Sequence, residues 1–468
     1  MGSATSLLVR SAKDNDMRTR SPAHVGQSRN TTGTMKLTSL FEHRSLEDRN
    51  SIRLLCILAG MPNDELQCEC IHFPHCRGSQ MPPYTAISYT WGDPSSEHPI
   101  MLNGRMYYVP QNAYDVLLRV RSPHENRMIW IDTICIDQTN ITEKNNQVRL
   151  MVDIYSSAQQ TLVWLGSATE DSAVAMDFIL VLKQALEELE GFKEVTDKML
   201  LEKTSTYQDS PPWLALGNLF ARPWFQRVWV VQEVALSPTV YFMCGDRTLP
   251  WDDVGNMMDA LYNCGLIHLI NHPAHPLNQL TAGTSTFWTM QDVRRSWRTL
   301  GSKRPLAAVL FASMGLLAAD PKDQIFGVLG LIHDSGDTGL QPHYENTVEE
   351  VYMHATQWSV IEEKIFDLLY LAGISHARNI PNLPSWVPDF SIDIAVNPFG
   401  IPVPGKSIHY AAGGSIGSAA ISNILFNERC LIAQGVIVDT VDVFGHVRVT
   451  PTHERVEQTH KTWNQWIR

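Results

Sequence analysis

Glu233 stands in Arg227-Val-Trp229-Val-Val-Gln232-Glu233-Val-Ala-Leu236, a helix-length run that is apolar on nearly every face. An ionised carboxylate buried in such a run costs on the order of several kcal/mol unless a cation pairs with it or it faces a cleft. Trp229 falls one turn earlier on the same helical face, so indole and carboxylate can share a pocket. Facing a cleft, Glu233 is the catalytic candidate of the chain. Paired with Arg222 or Arg227, it is a structural carboxylate, and the residues alone favour neither case.

A second group of polar residues follows short apolar runs. Trp91-Gly92-Asp93 ends the run Tyr84-Thr-Ala-Ile-Ser-Tyr89, and Asp132 to Gln138 follows Met128-Ile-Trp-Ile131. Gly166-Ser167 closes Thr161-Leu-Val-Trp-Leu165. In open α/β sheets, ligands bind beyond the carboxyl ends of the strands, near the switch in strand order. That rule makes Trp91, Gly92, Asp93, Asp132, Gln138 and Trp229 the ligand-binding candidates. Position alone does not make them catalytic. Glu143 and Gln147 read first as structural residues: Asn140-Ile-Thr-Glu143 fits a capping box, and Gln147 lies one turn further along.

Other chemistry is weakly supported. Cys68-Glu-Cys70 and Cys76, with His72 and His75, match no standard zinc finger, and no second pair follows at a suitable distance. No metal site is expected. Cys135 and Cys244 lack a sequence-adjacent His and read as core cysteines. Ala411-Ala-Gly-Gly-Ser-Ile-Gly417 is too loose for a phosphate loop.

The elements that must carry these residues alternate. Strands are expected at 52–58, 84–89, 128–131, 161–165 and 239–244, with helices from 112 and over 142–157, and a hairpin turns on Asn103-Gly104. The stretch 59–83 reads as a Pro/Cys-rich loop. Helical segments fill 171–205 and 213–236. Strand, helix and strand with short joints predict an α/β fold with a parallel sheet and flanking helices. Beyond about 270 the pattern becomes mixed α+β, with helices near 305–318 and 347–363 and strands near 429–446. The chain therefore divides into a disordered arm at 1–48, a domain at 49–270 with core motifs at 84–166 and 222–245, and a mixed C-terminal region at 271–468.

Bulk properties bound the function. The 468 residues carry 37 Lys+Arg against 49 Asp+Glu, a formal charge of −12, which disfavours a nucleic-acid partner. No apolar run reaches the roughly 20 residues of a membrane helix, and no secretory signal opens the chain. With eight scattered cysteines, reduced thiols and a cytoplasmic location are expected. Met1-Gly2-Ser-Ala-Thr-Ser6 fits an N-myristoylation pattern at Gly2, but one acyl chain gives only marginal anchoring.

The motifs, taken together, resemble a known family. Tyr84 to Asp93, Trp130-Ile-Asp-Thr-Ile-Cys-Ile-Asp-Gln138, Glu143 to Val148, Ile154-Tyr155, Val163-Trp-Leu-Gly166, Arg222-Pro-Trp-Phe225 and Arg227 to Glu233 occur in order. They resemble the heterokaryon-incompatibility (HET) domain of filamentous fungi. Asp320 to Leu331 and Leu383-Pro-Ser-Trp-Val-Pro-Asp389 are similar to segments that often follow that domain. Asp137 and Lys144 depart from the commoner Asn and Arg, and the chain stops soon after Val436-Ile-Val-Asp439, which would fit a truncation.

The resemblance implies a role in fungal non-self recognition and regulated cell death. It also implies a flavodoxin-like layout distantly similar to the Toll/interleukin-1 receptor (TIR) domain. Two mechanisms follow from it: self-association with protein partners and no required cofactor, or TIR-type cleavage of NAD as substrate. In the second, Glu233 would stabilise the oxocarbenium-like transition state, Asp93 and Asp132 would orient ribose hydroxyls, and Trp91 would stack on a ring. A paralogue without an incompatibility role is the third alternative.

Overall fold

The computed structural model describes residues 40–74, 81–93, 95–190, 194–208, 210–270, 277–300, 304–332, 340–363, 367–372, 378–392, 425–427 and 429–432. Gly2, His75, Cys76, the loop at 411–417 and the expected strands beyond Ile432 lie outside these residues.

Nine strands form one sheet. In chain order they are β1 (Ile52–Ile57), β2 (Gln67–Phe73), β3 (Thr85–Tyr89), β4 (Glu97–Leu102), β5 (Arg105–Pro110), β6 (Arg127–Trp130), β7 (Gln160–Trp164), β8 (Val240–Cys244) and β9 (Arg247–Pro250). Their spatial order is β5-β4-β2-β1-β6-β3-β7-β8-β9. The four strands β6-β3-β7-β8 pair in parallel, for instance Tyr89 beside Trp164 and Trp164 beside Met243. Taken alone they follow the order 2-1-3-4 of flavodoxin-like sheets, with the switch in direction beside β3. The class is α/β as expected, but the whole sheet is mixed. Antiparallel ladders β1–β2, β1–β6, β4–β5 and β8–β9 extend the parallel centre on both sides.

Two strands of this sheet went unread in the sequence. β2 lies within the stretch 59–83, where Gln67-Cys-Glu-Cys70 alternates exposed and covered positions but its Cys–Glu–Cys spacing suggests other chemistry. β9 has only four residues and ends in Pro250 at the edge of the sheet. The Asn103-Gly104 turn is as expected, with both residues at positive φ.

Helices α1 (Gln111–Val120), α2 (Asp132–Cys135), α3 (Ile141–Ser157), α4 (Ser172–Leu189), α5 (Asp197–Lys203), α6 (Pro211–Phe220) and α7 (Val230–Leu236) join these strands. α8 (Trp251–Asn263) and α9 (Leu277–Leu300) follow, then α10 (Leu306–Ser313), α11 (Asp323–Phe326) and α12 (Val348–Ile361). A short hairpin of β10 (Leu425–Asn427) and β11 (Cys430–Ile432) stands apart from the large sheet. α3 repeats Leu150, Met151, Ile154 and Tyr155 on its buried face, and α7 is buried at all seven positions. A helix apolar all round must lie inside, which is what α7 does. No helix among the described residues is long and apolar enough to cross a membrane.

Residues 40–44 already lie against the sheet. The Phe41 amide donates to Met106 O at 2.8 Å, and His43 Nε2 lies 2.8 Å from Ile134 O.

Candidate functional site

The site gathers around the carboxyl end of β3. Ser88 is a polar residue inside an apolar strand, and its hydroxyl must find partners on burial. It donates to Glu233 Oε2 and accepts from Trp224 Nε1 at 2.8 Å. Trp224 sits in the 3-10 turn Pro223–Gln226, immediately before α7. Strand β3, that turn and α7 are therefore tied together through one serine oxygen.

Glu233 is 4% exposed. Burial pushes its carboxyl up to about 7, with the Asp132 charge acting in the same direction, while the Arg227 guanidinium and the Ser88 hydroxyl oppose the rise. Arg227 donates from Nη1 to Tyr89 O, at the last residue of β3. Glu233 thus has a nearby cation but no direct ion pair among the described residues.

Asp132 opens α2 directly after β6. Its Oδ1 accepts from its neighbour Thr133 N at 2.7 Å, and its Oδ2 accepts from Trp91 Nε1 at 2.8 Å. Burial raises its carboxyl too, opposed first by Arg227 and then by the Trp91 hydrogen bond. Trp91 is 40% exposed and forms the outer rim. Gln138 reaches back to Asp132 O at 3.2 Å. Trp91, Gln138, Asp132, Arg227 and Glu233 therefore descend from the surface into the core beside β3.

The remaining candidates go elsewhere. Asp93 is bound within its own loop by Ser95 N and Ser95 Oγ, which hold its carboxyl low. Gly92, at φ +81°, makes the turn between Trp91 and Asp93. Trp229 stands at the start of α7, but its indole acts on Asp323, whose carboxyl it helps to hold down. Arg222 does not reach Glu233. It spans Leu165 O at 2.7 Å, Ser167 O at 3.2 Å and Thr169 Oγ1 at 3.0 Å, and so fixes the loop after β7.

Glu143 has half of the expected capping box. Asn140 Oδ1 accepts from Glu143 N at 3.1 Å, as an N-cap should. The Glu143 carboxylate does not return to Asn140. It binds Arg53 of β1 in a two-pronged pair and also accepts from Asp137 N at 2.7 Å. Arg53 is fully buried, and it further donates to Cys135 O at 3.1 Å and Arg44 O at 2.6 Å. Gln147 donates to Ser51 O at 2.8 Å. These residues hold α3, β1 and the 132–140 loop together, and so set the position of Asp132.

Sequence reasoning passed over Ser88, Trp224, Arg53 and Asp323. For Ser88 and Arg53 a signal was present, because each places a polar or charged group within an apolar strand that the sheet must bury. For Asp323 no local signal existed, since its partners Tyr344 and Trp229 lie 21 residues ahead and 94 behind. Among the described residues, no group of three or more His, Cys, Asp or Glu is placed to hold a metal ion.

Chemically, the cluster offers a buried carboxylate near its neutral point, a guanidinium and a second raised carboxylate beneath an aromatic rim. Glu233 is closed off from solvent in this arrangement.

Comparison with known proteins gives two matches. Residues 84–233 match the model of the family described as "Heterokaryon incompatibility protein (HET)". The chain is also similar to "Heterokaryon incompatibility protein 6, OR allele" of Neurospora crassa, with 28% identity over 424 residues. That alignment covers 78% of this chain and 62% of the relative, so the chain spans less than two thirds of the relative's length. No solved structure matches significantly.

Proposed function

Residues 84–233 carry a domain of the heterokaryon-incompatibility family, and from that premise we propose that the protein is an effector of fungal non-self recognition that promotes regulated cell death by self-association. The carrying observation is the closure of Glu233. Its oxygen is occupied by Ser88, α7 is buried on every face, and the carboxylate is 4% exposed. A site that binds substrate must present its reacting group to a cleft. In this arrangement the family motif serves as a packed polar core beneath a rim, which suits a domain that works by contact. Partners would then be further copies of the chain and incompatibility proteins, in the cytoplasm.

A second reading is favoured by one observation: a carboxylate raised to about 7 lies with Arg227 and Asp132 beneath an exposed tryptophan, near the carboxyl ends of parallel strands. If α7 opened, the ionised Glu233 could stabilise the positive charge that develops on the nicotinamide ribose when water cleaves NAD to nicotinamide and ADP-ribose. That reaction requires the deprotonated form, which burial disfavours here.

The test is controlled expression of the full chain in a filamentous fungus, with and without a fused dimerising tag. The proposal expects loss of viability above a threshold of expression, a lower threshold with the tag, and killing retained by Glu233→Gln. Killing that the tag leaves unchanged and Glu233→Gln abolishes would refute it in favour of hydrolysis.

A further inference from the structure

A second polar cluster lies on the other face of the sheet. The register sets Val163 beside Ser88 and Trp164 beside Tyr89. Successive residues of a strand point to opposite faces, so Trp164 faces away from the side on which Ser88 meets Glu233. There a cleft of about 580 Å³ runs between α1 and the loops that follow β7 and β8. That volume falls in the range of small-ligand sites, roughly 300–1,000 Å³. Much of its wall is apolar, from Met61, Pro62, Leu118, Pro123 and Ala168.

The strand ends fix this wall. Gly245 N donates to Gly166 O at 3.0 Å, and a Cβ on Gly245 would lie 2.6 Å from Ala168 Cβ. Arg222 holds the same loop through Leu165 O and Ser167 O. A wall set in advance spares a ligand the cost of ordering it.

The polar groups of the cleft divide into those engaged and those left over. Arg121 spends its guanidinium on the carbonyls of Met61, Pro62, Asp64 and Glu65. Asp115 accepts from Gln111 Nε2 at 2.7 Å and from Ser167 Oγ at 2.9 Å. Arg119 donates from Nε to Gly245 O at 3.1 Å and from Nη2 to Asp246 O at 3.0 Å, which leaves Nη1 without a partner among the described residues. Both acceptors are neutral carbonyls, and the Asp246 carboxylate lies with Arg247 at 3.4 Å. Trp164 is 3% exposed, and its Nε1 is a buried donor with no partner among the described residues. Trp130, Trp288 and Trp358 share that lack, but none of them lines the cleft. A buried donor left unpaired costs free energy that an acceptor would recover.

We propose that this cleft binds a small organic anion with an apolar body. Its phosphate or carboxylate oxygens accept from Arg119 and the Trp164 indole, and its body lies along Leu118, Met61 and Pro62. Arg119 supplies the charge-assisted hydrogen bond, the stronger of the two. The site stands on the face opposite Glu233, so it is independent of whether the domain acts by association or by hydrolysis.

Isothermal titration calorimetry on the full chain tests it, with 1-naphthyl phosphate and 1-naphthoate as probes. 1-Naphthol and inorganic phosphate supply the body and the head alone. The proposal predicts that at least one aromatic anion binds roughly tenfold tighter than either half, and the tighter of the two identifies the head. Added sodium chloride should weaken that binding, a result read on the unmodified chain. Arg119→Gln should weaken it roughly tenfold and Trp164→Phe roughly threefold, with the urea unfolding midpoint retained. Phenylalanine removes a donor that has no partner, so folding loses no hydrogen bond by it. No heat of binding from either anion at millimolar concentration, or binding no tighter than naphthol or phosphate, overturns the proposal. Binding that is indifferent to salt, or that either folded variant retains in full, overturns it as well.

Discussion

Replacing Glu233 with glutamine isolates the cost of a buried charge. Burial raises the folded-state carboxyl from its ordinary 4.5 to about 7, so between those values the folded chain binds its proton more tightly than the unfolded chain. Stability contributed by this group is therefore complete below pH 4.5 and is lost as pH rises through 7. One pH unit corresponds to about 1.4 kcal/mol, so the shift amounts to roughly 3 kcal/mol at pH 8.5. Glutamine keeps an oxygen that can accept from Ser88 and carries no charge at any of these values. Urea unfolding of the parent and Glu233→Gln at pH 5.5 and pH 8.5 gives four stabilities, and their double difference cancels every other titrating group. The expected result is a stability gain for the variant that is larger at pH 8.5 than at pH 5.5 by roughly 2 kcal/mol, since part of the penalty is already present at the lower pH. A gain that is independent of pH, or larger at pH 5.5, would refute the argument that burial raises this carboxyl.

Glu143→Ala should destabilise the chain by roughly 3–5 kcal/mol, because it strands the buried Arg53 guanidinium, whereas Arg53→Met with Glu143→Leu should restore most of that loss; urea unfolding measures both. Gly166→Ala should cost about 1–2 kcal/mol through its φ of +107°. It should also disturb Arg222, whose Nη1 would lie 3.1 Å from the new Cβ, so faster amide exchange in residues 165–169 is the accompanying readout. Trp91→Phe removes a hydrogen bond that lowers the Asp132 carboxyl, so NMR titration of that carboxyl should move upward, and a downward move would contradict the pairing.

The fold was legible where apolar periodicity is strong. β1, β3, β6, β7 and β8 and the helices around 112 and 142 follow from runs such as Thr161 to Leu165, whose side chains leave little choice but burial. β2 and β9 were not legible, because a polar strand such as β2, held between β1 and β4, or a short edge strand such as β9 is stabilised by its neighbours' ladders and not by its own composition. The same division applies to the site. Glu233 announces itself as a charge in an apolar helix, and Asp132 as a polar residue at a strand end. Which arginine approaches Glu233 depends on tertiary geometry: Arg227 does, while Arg222 is drawn to the carbonyls of Leu165 and Ser167. Trp229 illustrates the limit of helical spacing. It lies one turn from Glu233, yet Asp323, 94 residues away in sequence, takes its indole.

The central claim is that this domain acts by association with Glu233 closed. Sedimentation of the full chain across a wide concentration range, with NAD present and nicotinamide assayed in each fraction, tests it most directly. The account predicts concentration-dependent oligomers and no nicotinamide released in any of them. Nicotinamide release that tracks the oligomer and disappears in Glu233→Ala would contradict it.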